Sequence, residues 1–278
     1  MLKKLKRKTA ISSHIVLMLF SLITIFPLYI TFNMAFKSNQ EILTNVMSLP
    51  QAFSFETLKT VWIDKGFSQY FMNSVLVVIP HIVIILILTT MFSYGIVFLQ
   101  IPYSGVFFTV VLVGFMIPIQ AVIIPLFYTL TNLKLTNSLL ALSIVEVITY
   151  IPFCIFLLRS FMLNIPRSLY EAAIIDGATD YQLIYNVILP MSKSALLTII
   201  ILQFKNSWNE YLLPLVLLVN DKMQTLPLGF SRLQGGRYTL NYNMIGAGSL
   251  IMSIPMIIVF LLFQGKFISG IAGGAIKE

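Results

Sequence analysis

Six long apolar runs dominate this chain, and runs of that length leave a backbone few choices. They cover roughly residues 14–36, 71–92, 105–130, 138–158, 195–218 and 244–263. Crossing the hydrocarbon core of a bilayer takes about 20 apolar residues at ~1.5 Å of rise each, and every run meets or nearly meets that length. An unpaired peptide group in lipid costs several kcal/mol, so a lone spanning segment closes its hydrogen bonds within itself as a helix. Charge content agrees. Soluble domains are about one quarter charged, whereas here 10% of residues are charged and 58% are hydrophobic. The expected fold class is an all-α membrane protein of six transmembrane helices, with residues 1–278 forming a single transmembrane domain.

The first run follows Lys3, Lys4, Lys6, Arg7 and Lys8, as the core of a secretory signal would. It exceeds a signal core of ~7–15 residues and has no small-x-small cleavage site, so an uncleaved span is expected. The net charge of +8 does not point to nucleic acid, because five of the 18 basic residues crowd into the first eight positions beside a span. Excess Lys and Arg near span ends marks the cytoplasmic side. An inside N-terminus places ten basic residues inside and seven outside, with Lys205 within a span. Both termini and loop 159–194 are then cytoplasmic, and loops 37–70 and 219–248 are external.

Every run contains proline: Pro27, Pro80, Pro118 with Pro125, Pro152, Pro214 and Pro255. Each removes a backbone hydrogen bond and kinks a helix. Proline is also simply commoner in transmembrane helices, so a bundle that lines a path and changes shape is one reading of two.

The fifth run is the polar one, with QFKNSWNEY at residues 203–211. On a continuous helix Gln203, Asn206, Ser207, Glu210 and Pro214 share one face, and Lys205 and Asn209 share another. Its twelve Leu, Ile and Val residues favour insertion by about 4–7 kcal/mol. Lys205 and Glu210 oppose it by about 2.5–3.5 kcal/mol each. Such a helix needs polar company, either a path or structural pairing with neighbouring helices. Gln203, Asn206, Trp208, Asn209 and Glu210 are the candidates for a translocation path. Glu146 is a second intramembrane ionisable residue, in a path or paired with a base, and His81 reads as a packing residue before a proton relay. Cys154, the single cysteine, excludes a disulfide framework and any Cys-based metal site within one chain.

Between the fourth and fifth runs lies a polar connector of 36 residues, Arg159 to Ser194, where 2–8 would join two helices. Ser168 and Glu171 have capping-box spacing, and a helix through Ala172, Ala173, Ile174 and Ile175 meets Gly177, a natural stop. Thr179 and Gln182 repeat the spacing and open a second helix expected to end before Pro190. Small residues allow close approach of another surface, and Glu171, Asp176 and Asp180 offer acceptors. Interfacial membrane helices carry basic polar faces; from Ser168 up to Lys193 this segment carries Glu171, Asp176 and Asp180 and no basic residue, which favours docking to a protein.

The stretch EAAIIDGATDYQLIYNVILP at 171–190 resembles the EAA loop of permease subunits of binding-protein-dependent ABC importers. NSWNEYLLPLVLL at 206–218, QTLPLGF at 224–230 and the C-terminal LLFQGKFISGIAGGAIKE are similar to the carbohydrate-uptake branch, in particular its maltose-permease-G-like half. The resemblance implies a MetI-like fold in a multi-pass protein of a bacterial plasma or inner membrane. It implies a second homologous permease, two copies of a cytoplasmic ABC ATPase and an extracytoplasmic sugar-binding protein docking on the outer loops. It further implies that Glu171, Ala172, Ala173, Asp176, Gly177 and Ala178 couple the chain to that ATPase.

The chain holds no G-x-x-x-x-G-K-[ST] segment, and Gly265-Lys266 lacks the upstream glycine and the hydroxyl residue. ATP and Mg are thus expected on the partner ATPase, with no cofactor, metal or catalytic residue in this chain. A secondary transporter using Lys205, Glu210 and Glu146 is the rival reading, but it leaves the acidic connector without a purpose. A non-transporting scaffold leaves the polar fifth run without one.

Overall fold

The structure is a computed structural model describing residues 2–99, 101–233 and 241–275, with side chains over 13–99, 101–233 and 241–264. The side chains of Lys3, Lys4, Lys6, Arg7, Lys8 and Lys266, and all of Lys277 and of loop residues 234–240, lie outside it. Regular structure among the described residues is helical throughout. In chain order it comprises α1 (Leu2–Phe36), α2 (Asn39–Thr44), α3 (Glu56–Ile63), α4 (Phe67–Phe98), α5 (Ser104–Phe115), α6 (Ile119–Asn132) and α7 (Leu139–Met162). Then follow α8 (Arg167–Ile175), α9 (Asp180–Leu183), a π-helical turn (Ile184–Ile188), α10 (Leu189–Met191), α11 (Lys193–Trp208), α12 (Leu212–Leu217), a 3₁₀ turn (Asp221–Met223), α13 (Leu226–Leu233) and α14 (Tyr242–Ala275).

Among the described residues four helical segments are long and apolar enough to cross a membrane: Ser13–Phe36, Phe67–Phe98, Leu139–Met162 and Tyr242–Gln264. The third and fifth apolar runs depart from the expected single helices. The run at 105–130 divides into α5 and α6, which meet at 92°. Pro118 does not kink this segment but ends it. Proline disfavours helical geometry at the residue before it, and Pro118 itself is extended (φ −68°, ψ 133°) as the cap of α6.

The run at 195–218 stops at Trp208 and restarts at Leu212, so α11 has only 16 residues, about 24 Å of rise. At its other end α11 meets the segment Asp180–Met191 at 77°. If each bent pair is one span, the count is six. Pro214 explains the restart. As the third residue of α12 it occupies the first turn, where its missing N–H is an orphan in any case.

Backbone contacts divide the chain into two compact units. The first comprises residues 1–68 and 229–254. In it α14 crosses α1 closely: a Cβ on Gly246 would lie 2.5 Å from Met34 Cβ and 2.7 Å from the Ala35 nitrogen, so only glycine fits. The segment after α1 folds back on itself. Lys37 Nζ donates to the Asn45 carbonyl and Ser48 Oγ, both at 2.8 Å, and Ser38 and Glu41 close a capping box on α2. Ser38 N–H to Glu41 is the first cause holding that carboxyl below the usual carboxylate range, with Gln51 N–H adding to it and desolvation opposing. Residues 13–28 of α1 are exposed on every side, with Phe20 and Ile23 each 71% exposed, a surface suited to lipid or to another subunit.

The second unit comprises residues 69–228 and 255–278. One core cluster joins α4, α7, the π turn and α11 through Ile85, Val147, Leu158, Ile188 and Ile199. Another joins α4, α6, α7 and α12 through Val77, Leu130, Leu142, Leu213 and Leu217. These clusters set the positions of the polar groups described next.

Candidate functional site

The acidic connector folds as a helix–turn–helix. α8 begins one residue after Pro166, with no side-chain cap. Ser168 is therefore the second helical residue and not the cap its spacing with Glu171 implied, because Pro166 starts the helix sooner. The stop is as expected. Gly177 is left-handed at φ +79°, its N–H donates to the Ile174 carbonyl at 2.9 Å, and the Ala178 N–H donates to the Ala173 carbonyl at 3.0 Å. This paired 6→1 and 5→2 closure is a Schellman motif.

Thr179 then caps α9 in a complete capping box with Gln182. The helical path does not end before Pro190. It passes through the π turn, where the Leu189 N–H reaches back to the Ile184 carbonyl, and continues to Met191. An inserted π turn absorbs the hydrogen bond that Pro190 cannot donate.

Glu171, Ala172, Ile174, Asp176 and Gly177 are exposed, Ala173 and Ala178 are half-buried, and Ile175 is 85% exposed. A cleft of about 370 Å³ opens beside the turn, walled by Ala173, Asp176, Gly177, Ala178, Gln182 and Asn186. An apolar tip of small residues next to carboxylates is a surface built for contact. The structure brings all six expected coupling residues into one stretch of it.

Asp180 is spoken for within the chain: Tyr94 Oη donates to its Oδ1 at 2.7 Å. Tyr170 of α8 packs against Phe98 (5.1 Å between centroids) and Tyr94 (6.5 Å). The sequence reading passed over Tyr94, Phe98 and Tyr170. The signal for Tyr94 was a polar tip near the end of an apolar helix.

A buried polar cluster sits among α4, α7 and α11. Gln203 Nε2 donates to Cys154 Sγ at 3.1 Å, and Gln203 Oε1 lies 3.3 Å from His81 Nε2. The other ring nitrogen of His81 is 3.7 Å from Glu146 Oε2. Both side chains are fully buried, so His81 is the basic side chain that faces Glu146. Tyr150 stands edge-on to His81 and donates from Oη to Glu210 Oε2 at 2.9 Å. The other Glu210 oxygen accepts from the Leu212 and Leu213 N–H groups at 3.0 and 3.1 Å. Glu210 thus caps α12 in place of lying on a continuous α11 face, and an anion there also meets the positive helix end.

The five path candidates separate accordingly. Gln203 and Trp208 are buried inside the subunit, Trp208 stacked on Phe204 and edge-on to Phe71. Asn206 and Glu210 are half-buried, and Asn209 is exposed. Pro214, also assigned to that face, is buried in α12. Among the described residues no three His, Cys, Asp or Glu side chains gather as a metal site would require.

Residues 102–272 match the family described as binding-protein-dependent transport system inner membrane component. A diacetylchitobiose uptake system permease protein of Streptomyces coelicolor is 32% identical over 98% of this chain and 90% of its own length. An arabinooligosaccharides transport system permease protein of Bacillus subtilis is 32% identical over 94% of this chain and 93% of its own length. Among solved structures, a chain of a bacterial ABC transporter that imports the acidic polysaccharide alginate superposes with a TM-score of 0.80. It is 26% identical, covering 94% of this chain and 97% of that one.

Proposed function

The chain belongs to the inner membrane components of binding-protein-dependent transport systems, and from that premise we propose that it forms half of a sugar path driven by a separate ATPase through residues 171–178. It is a permease subunit of an ABC importer in the membrane, not an enzyme, and the secondary-transporter reading finds no support. The observation that carries the coupling role is the exposed helix–turn–helix closed by Gly177. Its Ala-rich tip admits a close partner surface, and the chain has no nucleotide motif of its own.

In this reading two ABC ATPase copies bind ATP and Mg on the cytoplasmic side, where the basic N-terminus and loop 159–194 also lie. Closure of the ATPase pair displaces Glu171, Ala172, Ala173, Asp176, Gly177 and Ala178. A second homologous permease completes the path, and an extracytoplasmic binding protein delivers sugar to the loops after α1 and α12. The substrate class is supported by relatives named for chitobiose and arabinooligosaccharide uptake and by the alginate importer's fold. Asn206, Asn209 and Glu210 line the path at the broken end of α11, with Gln203 and Trp208 holding that end from behind. Amides and a carboxylate at a helix break suit hydroxyl-rich ligands, which need many directional hydrogen bonds.

Copurification tests the coupling role. The ATPase is expected to stay with the wild-type chain and to be lost with Gly177→Val or Glu171→Lys; retention and normal transport in both variants would refute it. Reconstitution with the binding protein tests the substrate, with sugars expected to stimulate ATP hydrolysis. Stimulation by amino acids or peptides and by no sugar would overturn the carbohydrate assignment.

A further inference from the structure

We propose that Tyr94 is the positioning residue by which the coupling loop grips α4, and that α4 carries the loop's position to the segment 220–226 at its far end. The inference rests on the coupling role given above to residues 171–178. Tyr94 and Phe98 are four residues apart and so lie on one face in the last turns of α4. Tyr94 is 3% and Phe98 4% exposed. Both arms of the helix–turn–helix meet that face. α8 presents Tyr170, whose ring packs on Phe98 and Tyr94. α9 presents Asp180, its first residue, which accepts the Tyr94 hydroxyl proton at 2.7 Å. The Thr179 capping box fixes where α9 begins, so Asp180 does not adjust independently of the turn at Gly177.

Near the other end α4 is tied just as firmly. Asn73 Nδ2 donates to the carbonyls of Lys222 (2.9 Å) and Gln224 (2.8 Å). Its Oδ1 accepts from Gln69 Nε2 at 3.0 Å, which holds the amide in orientation. Ser74 Oγ accepts from the Leu226 N–H at 2.8 Å. Asn73 and Ser74 are buried, at 1% and 3% exposure. From Asn73 to Tyr94 is about 30 Å of helical rise, the thickness of the hydrocarbon core. One uninterrupted helix therefore holds the coupling loop at one membrane face and a loop segment at the other, by directional hydrogen bonds in both places. A shift of α8 and α9 that keeps these bonds must move α4, and with it the 220–226 segment.

The test uses the full complex of permeases, ATPase and binding protein in vesicles. Tyr94→Phe keeps the ring packing on Tyr170 and Phe98 and removes only the hydroxyl. It is expected to retain the ATPase and its basal hydrolysis while binding-protein-stimulated hydrolysis falls about tenfold or more, the lower end of the worth of a hydrogen bond to a charged group. Asp180→Ala is expected to lower stimulation equally. Asp180→Asn, which keeps an acceptor, is expected to restore most of it, and the Tyr94→Phe/Asp180→Ala pair to be no worse than either single change. Asn73→Ala should lower stimulation from the far end. Normal stimulation in Tyr94→Phe, additive losses in the pair, or an Asp180→Asn as impaired as Asp180→Ala would each overturn the proposal. A wild-type chain that fails to retain the ATPase would remove the coupling reading itself, which is a different result from normally stimulated variants.

Discussion

Gly177 offers a sharp perturbation, because two physical effects at this position rank Asn and Ala in opposite order. Its φ of +79° lies in the left-handed region, where an L-residue pays about 1–2 kcal/mol. Replacing glycine also removes about 0.4–1 kcal/mol of unfolded-chain entropy. The net cost of Gly177→Ala is thus about 0.8 kcal/mol at mid-range and about 1.6 kcal/mol at most, a drop of about 4-fold and at most about 15-fold in the population of the correctly turned loop. A Cβ at this site meets nothing within 4 Å in the chain, so no internal clash adds to it. The affinity of the permease for its ATPase falls with the competent fraction, hence by about 4-fold and at most about 15-fold. Asparagine tolerates the left-handed region and valine does not. Backbone strain therefore predicts affinity in the order Gly, Asn, Ala, Val. Titrating purified ATPase against permease variants in nanodiscs reads the order directly. If the ATPase instead approaches the glycine so closely that bulk decides, Asn falls below Ala. That inversion, or an Ala variant equal to wild type, would refute the strain argument.

Three further outcomes follow from single contacts. His81→Leu leaves buried Gln203 Oε1 without its ring partner and Glu146 without a facing basic side chain, and is expected to cost about 1–3 kcal/mol of stability; His81→Leu/Glu146→Leu should cost less than His81→Leu alone, in thermal unfolding in detergent. Gly246→Val drives a side chain into Met34 and the Ala35 backbone and is expected to destabilise by about 1–3 kcal/mol or more, seen as lost monodisperse protein on size exclusion. Glu41 has a lowered folded pKa, caused first by the Ser38 N–H, so its stabilising contribution is complete above the unfolded carboxylate value and is lost as pH falls through the lowered one. Amide exchange at Ser38 and Gln51, compared with Glu41→Gln at each pH, should quicken in the wild type alone over that acid window.

The helix–turn–helix around Gly177 was largely legible because its determinants are local. Gly177 stops α8 through bonds reaching only a few residues back, and Thr179 caps α9 through Gln182, three residues on. Ser168 misled because Pro166, two residues upstream, starts the helix without any side-chain cap. The fifth run misled for a related reason. Its helical face from Gln203 to Pro214 exists only if the helix continues, and Glu210 turns instead to the α12 N–H groups and Tyr150. The early position of Pro214 in α12 was the readable sign of that break.

What the sequence determined by itself is the membrane class, the helical secondary structure, the turn at Gly177 and, through its motifs, the family. Each follows from composition, period or short-range hydrogen bonding, all of which are written along the chain. Tertiary structure alone decided that His81 is the base beside Glu146, that Trp208 faces inward, and that Tyr94 and Asn73 tie α4 to segments 86 and about 150 residues away in sequence. An apolar helix with a low-contrast surface can bury any of several faces at nearly equal cost in lipid. Which polar atoms meet is therefore settled only when the helices pack and each buried donor must find its acceptor.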